Sequence, residues 1–269
     1  MTFSLITATL GRIEEIRILC ESLSQQTFQD FELYIVDQNE HSLVENIINE
    51  FKNQFTIHYI RNNKKGLSLN RNIALKIASG TFIGFPDDDC YYSPNTLEEV
   101  FHSFQNYPEA KFIATNTYDS NTKQLQRTSK KKKIYKKDIL NTCISYNIFV
   151  RNNAILFDER LGVGTYFSSG EETDYLYSQI NTTKDYGIFC TQTSIYHPKH
   201  TTPDKIYKYS LGFAALQKKD WISRKNNQAL LCFLYYICRA IVGILLLKSP
   251  STQWESLKGK IVGFIKFKV

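Results

Sequence analysis

The chain has 269 residues, 42% of them hydrophobic and 14% aromatic, a composition that excludes a disordered chain and provides for a sizeable core. Its net charge of +7 is modest, and the basic residues gather between Lys123 and Lys137 and again from Lys248 to Lys268. Six cysteines, at 20, 90, 143, 190, 232 and 238, form no Cys-x-x-Cys pair and no compact disulfide spacing, which suits reduced thiols in a cytosolic compartment. The stretch Met1 to Ile6 lacks the basic start and long apolar middle of a signal peptide, and reads instead as the beginning of a first strand.

Thr2 to Ala8 is a β-rich run closed by Thr9-Leu10-Gly11-Arg12, after which Ile13, Ile16, Leu19, Cys20 and Leu23 recur at helical spacing. Phe31 to Val36 is a second strand ending in Asp37-Gln38-Asn39, and a helix is expected over Leu43 to Phe51. A third strand, Phe55 to Ile60, leads into the turn-rich loop Asn62 to Gly66. Ser68 is placed to cap a helix from Leu69 to Ala78, which Gly80 ends. Thr81 to Phe85 is an apolar strand, and Pro86-Asp87-Asp88-Asp89-Cys90 follows it directly. A helix from Pro94 to Gln105 and a strand from Lys111 to Thr115 close the regular alternation.

Strands alternating with helices predict an α/β fold, a nucleotide-binding and mostly parallel sheet flanked by helices. Ligands in such sheets bind beyond the carboxyl ends of the strands, so Thr7 to Arg12, Asp37 and Asp87 to Asp89 are expected to converge on one crevice. Three adjacent carboxylates repel one another and call for a counter-charge. A divalent cation carrying a phosphorylated ligand would satisfy them, because Asp oxygens suit Mg²⁺ and Mn²⁺. The alternative is a solvated acidic turn that caps the helix starting near Ser93-Pro94-Asn95.

Residues 117 to 137 show no apolar period and read as an exposed insertion. The run Lys130 to Lys133 within it is a solvated charge block, and no aromatic and basic recognition motif accompanies it, so nucleic acid is not an expected partner. Ile148 to Arg151 and Ala154 to Phe157 read as strands, and Asp158 to Gly164 as a loop. Gly170-Glu171-Glu172-Thr173-Asp174 then puts three carboxylates within four residues at the start of a helix running to about Ile180. Acids there are favoured by the helix dipole, or they form a second functional cluster. Gly187 to Cys190 and Ser194 to Tyr196 are short strands, followed by His197-Pro198-Lys199-His200. A zinc site on His197 and His200 is not expected, as no third or fourth ligand stands nearby.

The composition changes again from Ala229 to Leu247, where all residues but Arg239 and Gly243 are apolar or aromatic. Those 19 residues approach the length of a bilayer span, but the mid-segment Arg239 and the flanking lysines favour a peripheral or partly inserted geometry. The tail from Gly259 to Lys268 mixes basic and apolar groups in a way that suits an anionic membrane surface. A helix packed on the rest of the chain or at a dimer interface is the alternative.

Ser4-Leu5-Ile6-Thr7-Ala8-Thr9, Tyr34-Ile35-Val36-Asp37, Gly66-Leu67-Ser68 with Arg71-Asn72-Ile73-Ala74, Ala78-Ser79-Gly80, Phe85 to Cys90 and Gly170 to Asp174 occur in an order that resembles family 2 glycosyltransferases, of the bacterial capsule, exopolysaccharide and O-antigen type. The resemblance spans about residues 2 to 200 and implies a GT-A fold over 1–210; the composition beyond it makes 211–269 a helical, membrane-associating extension. It implies an inverting, metal-dependent transfer from a nucleotide-sugar donor to a lipid-linked or growing glycan at the cytoplasmic face of a membrane. Asp87 and Asp89 match the ends of the family's Asp-x-Asp motif, where Mg²⁺ or Mn²⁺ meets the diphosphate, and Asp88 the ribose or metal shell. Asp37 matches the acid that reads the nucleobase. Thr7, Thr9 and Arg12 lie on the first nucleotide loop, while Gly66 and Arg71 belong to the donor side. His197 matches a histidine that can reach the metal or the diphosphate. Among Glu171, Glu172 and Asp174 one carboxylate is the implied base; Glu172 is favoured, although it stands where the family usually has Asp. A nucleotidyltransferase, or a non-catalytic membrane-bound scaffold binding nucleotide sugar or glycan, are the alternatives.

Overall fold

In the computed structural model, which describes residues 1–199 and 203–269, the first β-rich run forms strand β1 (Phe3–Thr9), buried along its whole length. A strand buried on both faces needs a parallel partner and helical cover. Strand β2 (Phe31–Asp37), equally buried, supplies the partner, with Thr9 opposite Asp37. Helix α1 (Glu14–Ser24) buries Ile16, Leu19, Cys20 and Leu23, and α2 (Leu43–Phe51) buries Val44, Ile47, Ile48 and Phe51, each set forming one helical stripe. Strand β3 (Thr56–Arg61) pairs with β2, and β4 (Phe82–Gly84) with β1, all parallel.

Beyond β4 the sheet changes character. Strand β5 (Tyr91–Tyr92) is short, α4 (Thr96–Asn106) packs through Leu97, Val100 and Phe104, and β6 (Phe112–Asp119) is buried nearly throughout. Strands β7 (Leu125–Arg127) and β8 (Lys133–Ile134), helix α5 (Lys136–Thr142) and strand β9 (Ile148–Arg151) follow. Then come α6 (Glu171–Gln179) and the long β10 (Gly187–His197). Among the described residues the sheet order is β3-β2-β1-β4-β9-β6-β10-β5, with β7 attached to β6 and β8 to β10. Strand β9 runs antiparallel to both β4 and β6, so the parallel half, β3 to β4, adjoins a mixed half. Strand β10 shifts register against β6 between Cys190 and Ser194, then continues to set His197 opposite Asp119.

Three local expectations differ from the structure. Ala154 to Phe157 is not a strand: Ala154 has φ +58°, and the side chains of Asn152 and Asn153 accept hydrogen bonds from the amides of Ala154 and Ile155, curling the chain. Ser68 lies within α3 (Leu67–Leu75) rather than capping it, and its hydroxyl donates to Leu161 O at 2.6 Å. Gly80 is not a helix end, since α3 stops at Leu75; a Cβ there would lie 2.4 Å from the Ser4 amide nitrogen, so the glycine permits close approach of two backbones. The insertion expected over 117–137 is exposed over most of 121–133, but residues 117–119 belong to β6, and β7 and β8 pair with β6 and β10.

The chain divides into two compact units. Met1–Lys65, Leu69–Leu156 and Leu176–Lys199 make the first, which holds the whole sheet. The second combines Gly66–Ser68, Phe157–Tyr175 and the described residues from Pro203 to Val269. Within it, α7 (Pro203–Ser223) runs unbroken through residue 210 and is joined by α8 (Asn227–Leu245) and α9 (Pro250–Lys266). Gly259 and Gly263 bring α9 against α7: a Cβ at either would lie within about 2.5 Å of Tyr207 O or Leu211 O. Phe264 stacks on Phe233 at 4.4 Å, and Leu161, Ala215 and Phe267 form a small core. Helix α8 buries Ala229, Phe233 and Ala240, whereas Leu231, Leu234, Tyr235, Val242 and Leu245 are exposed.

Candidate functional site

Strands β1, β2 and β4 are parallel neighbours, so their carboxyl ends deliver Thr9, Asp37 and the Phe85–Cys90 turn to the same edge of the sheet. Asp37 is fully buried. Its Oδ1 accepts from the Asn39 amide (2.8 Å) and Asn39 Nδ2 (2.7 Å), and its Oδ2 accepts from the Tyr59 hydroxyl (2.7 Å). Asn39 Oδ1 in turn accepts from the Gly11 amide at 2.7 Å, which ties the loop after β2 to the loop after β1. The charge of Asp37 and burial together push the Tyr59 phenol up, burial being the larger cause. The Thr7 hydroxyl donates to Pro86 O, and that of Thr9 to Arg12 O.

The Asp triplet is divided among different partners. Arg12 Nη1 lies 2.5 Å from Asp88 Oδ1 and 2.7 Å from Asp89 Oδ2. Arg71, fully buried on α3, places Nη2 2.7 Å from Asp87 Oδ1, an oxygen that also accepts from Ser145 Oγ at 3.2 Å. His197, carried in by the end of β10, sets Nε2 3.0 Å from Asp89 Oδ1 and 3.7 Å from Asp87 Oδ2. Burial pushes the Asp88 carboxyl up to about 6 despite the opposing Arg12. Burial also works against the His197 cation, but the hydrogen bond to Asp89 and the two nearby carboxylates outweigh it, raising the imidazole.

Asp87, Asp89 and His197 each offer a ligand atom, and these atoms all lie within 4.8 Å of one another. Two carboxylate oxygens and one imidazole nitrogen make a donor set that fits a divalent cation. His200 lies outside the described residues.

The second acid cluster begins α6. Glu171 and Asp174 are buried and Glu172 is half-buried. Asp174 is gripped by two cations, Lys219 Nζ at 2.7 Å and Arg224 Nη2 at 2.9 Å. Lys219 also reaches Asp158 Oδ2 at 2.7 Å. Gly66, with φ +141°, precedes the Leu67 amide that donates to Val163 O.

The sequence profile of glycosyl transferase family 2 matches residues 4–160. The chain belongs to glycosyl transferase family 2. The matched span is therefore a glycosyltransferase domain, which displaces the nucleotidyltransferase and scaffold alternatives. Over 127 residues this family 2 chain is 33% identical to the UDP-Glc:alpha-D-GlcNAc-diphosphoundecaprenol beta-1,3-glucosyltransferase WfaP of Escherichia coli, covering 44% of the chain and 51% of that relative. It is 32% identical over 104 residues to the poly(ribitol-phosphate) beta-N-acetylglucosaminyltransferase TarS of Staphylococcus aureus, covering 37% of the chain and 18% of TarS. The chain thus spans about half the length of WfaP and less of TarS. In fold it is similar to S. aureus TarS 1–349 in complex with UDP (TM-score 0.63, 16% identity, 99% of this chain and 91% of that one). It is also similar to the mannosyltransferase PcManGT from Pyrobaculum calidifontis in complex with GDP-Man and Mn²⁺ (TM-score 0.65, 10% identity, 98% and 85%). The fold is GT-A-like, a mixed α/β sheet flanked by helices, followed by an apolar helix near the C-terminus.

Several residues in contact with the expected ones carry no sequence signal. Tyr59 looks like any strand aromatic, and Asn39 like a turn residue. Tyr146 is buried just before the strand Ile148–Arg151, where its ring stacks on His197. Lys219 and Arg224 lie beyond the last motif of the family resemblance.

Proposed function

We propose that this family 2 chain transfers a sugar, with inversion, from a nucleotide-sugar donor to a lipid-linked or growing glycan in bacterial surface polysaccharide synthesis. The observation that carries the reading is the meeting of Asp87, Asp89 and His197, since His197 is remote in sequence and reaches the triplet only through the course of β10. In this reading the three residues hold Mg²⁺ or Mn²⁺, and Arg12 and Arg71 keep the carboxylates aimed. The cation when bound would supply Lewis-acid stabilisation of the leaving diphosphate. Asp37 with Asn39 orders the pocket for the base, and Thr7, Thr9, Asp88 and Gly66 complete the donor side. Glu172 takes the proton of the acceptor hydroxyl, because Asp174 is already held by two cations and Glu171 is more deeply buried. Single displacement with one base inverts the anomeric centre.

The outward apolar face of α8 supports docking of the chain on the cytoplasmic side of a membrane, where a lipid-linked acceptor would be met. Among the described residues α8 is the helix long and apolar enough to cross a membrane, but Ala229, Phe233 and Ala240 face the protein, which favours lying on the surface.

The test is nucleotide release from UDP-glucose, UDP-GlcNAc and GDP-mannose, titrated with Mn²⁺ and Mg²⁺. Asp89→Ala should abolish the metal-dependent turnover, and undiminished transfer would remove the metal assignment. NMR of the anomeric proton of the product decides between inversion and retention.

A further inference from the structure

Glu171 and Glu172 sit near the end of the segment 158–174, whose backbone has three glycines at positive φ: Gly162, Gly164 and Gly170. Such a chain has little stiffness of its own, because glycine gives up more conformational freedom on ordering than any other residue. Its two ends meet on one ammonium. Lys219 Nζ lies 2.7 Å from Asp158 Oδ2 at the start of the segment and 2.7 Å from Asp174 Oδ2 at its end. Arg160, inside the segment, holds Asp158 through Nε (2.8 Å) and Nη2 (2.6 Å). Arg224 Nη2 adds contacts to Asp174 Oδ1 (2.9 Å) and Asp174 O (3.2 Å), and its Nη1 stands 3.7 Å from Asp220. Asp220 is fixed in turn by Asn226 Nδ2 at 2.6 Å.

Helix α7 also supports the turn before α6 by shape. A Cβ at Gly212 would lie 2.2 Å from Ser169 O, and Ser169 Oγ donates to Tyr209 O at 3.0 Å. Gly170 rests 3.4 Å from Gly212 O by the same measure. Lys219, Asp174 and Asp158 are largely withdrawn from solvent, where an ion pair is weakly screened and loss of one partner leaves a costly uncompensated charge.

We infer that Lys219 and Arg224 are positioning residues for the acceptor-side acids: through Asp158 and Asp174 they fix the segment from which Glu172 works. This rests on the reading of Glu172 as the base. Asp174 then serves geometry, and the proton chemistry falls to its neighbour. The end of α7, beyond the residues matched by the family profile, belongs to the transfer machinery.

The experiment uses the full chain with Lys219→Met, Arg224→Met and Lys219→Arg, assayed for nucleotide release from UDP-glucose, UDP-GlcNAc and GDP-mannose, with melting temperatures measured in parallel. The two Met variants should lose about 10- to 100-fold in kcat while KM for the nucleotide sugar stays within about twofold, as expected when a reacting group is misplaced by an ångström or less. Lys219→Arg should recover most of the rate. Wild-type kcat in both Met variants, or a KM that rises in step with the loss of kcat, would overturn the inference. If Lys219→Met does not fold, Asp158→Asn, which releases one end of the segment, takes its place with the same criteria. Glu172→Gln is assayed alongside. A slow Lys219→Met beside an unimpaired Glu172→Gln moves the base to Glu171 and keeps the positioning role; the converse removes the positioning role alone.

Discussion

Tyr146 lies flat on His197, with ring centroids 4.3 Å apart and planes inclined by 4°. Tyr146 is buried, and the preceding residue, Ser145, donates to Asp87, so a single turn of chain steadies two members of the candidate metal centre. Loss of a group that orients a metal ligand typically costs about 10- to 100-fold in metal affinity. Tyr146→Leu should therefore weaken Mn²⁺ binding by about 10- to 100-fold, read by titration calorimetry or by the EPR signal of free Mn²⁺. Unchanged affinity would mean that the imidazole is held without the stack.

Tyr59 bears on the nucleotide side. Its hydroxyl donates to Asp37 Oδ2 at 2.7 Å, and Asp37 also orders Asn39. Tyr59→Phe leaves a buried carboxylate oxygen without that donor, at a cost of about 1–3 kcal/mol. Urea unfolding should show that loss. UDP and GDP titrations should show weaker binding of whichever nucleotide the wild type prefers.

Glu32 sets an acid limit on the fold. It is buried on β2 and accepts from Ser4 Oγ (2.6 Å), from the Ser79 amide (3.2 Å) and hydroxyl (2.9 Å), and pairs with His58 Nε2 (2.9 Å). Burial opposes its charge, but these hydrogen bonds outweigh burial and hold the carboxyl below its ordinary value of 4.5. The folded state thus binds the proton more weakly than the unfolded chain. The stabilisation is complete above pH 4.5 and is lost as pH falls through the lower folded value. Glu32→Gln should lower stability near neutrality by about 1–3 kcal/mol and flatten the acid limb of a stability profile, measured by chemical denaturation from pH 3 to 7. A variant with the acid limb of the wild type would assign that limb to other carboxylates.

The exposed face of α8 gives a prediction for lipid. Leu231, Leu234, Tyr235, Val242 and Leu245 follow helical spacing on one side, and Lys248 stands just past the helix end. Leu234→Glu combined with Val242→Glu should abolish co-sedimentation with vesicles containing anionic lipid and leave the melting temperature near that of the wild type. If instead the double variant changes a dimer into a monomer and leaves vesicle binding intact, the face is an interface between copies.

The parallel half of the sheet was legible because its strands are short β-rich runs bounded by turn residues and its helices keep a strict stripe, as in Phe3–Thr9 and Ile16, Leu19, Cys20 and Leu23. Asp87 and Asp89 were legible because adjacent like charges at a strand end demand a partner. Ala154 to Phe157 misled because asparagine side chains compete with strand pairing, a local effect that apolar content does not report. Ser68 misled because its hydroxyl found a carbonyl 93 residues away in sequence instead of its own helix. Tyr146, Lys219 and Arg224 matter through what folding brings beside them, and no spacing rule along the chain encodes such meetings.

The irregularity in β10 has a bearing on which changes the chain tolerates. Between Cys190 and Ser194 the strand advances four residues while its partner advances from Thr115 to Asn116. Side chains on a strand alternate, so adding or removing one residue in that interval would turn every later side chain to the opposite face, His197 included. Thr191 and Gln192 are exposed and bear no such restriction on their chemical identity. At Thr191 and Gln192 length rather than side-chain type is expected to be inherited, whereas Thr193, buried and bonded to Thr96, keeps its own packing constraint; a single-codon deletion here disarms the site from a distance.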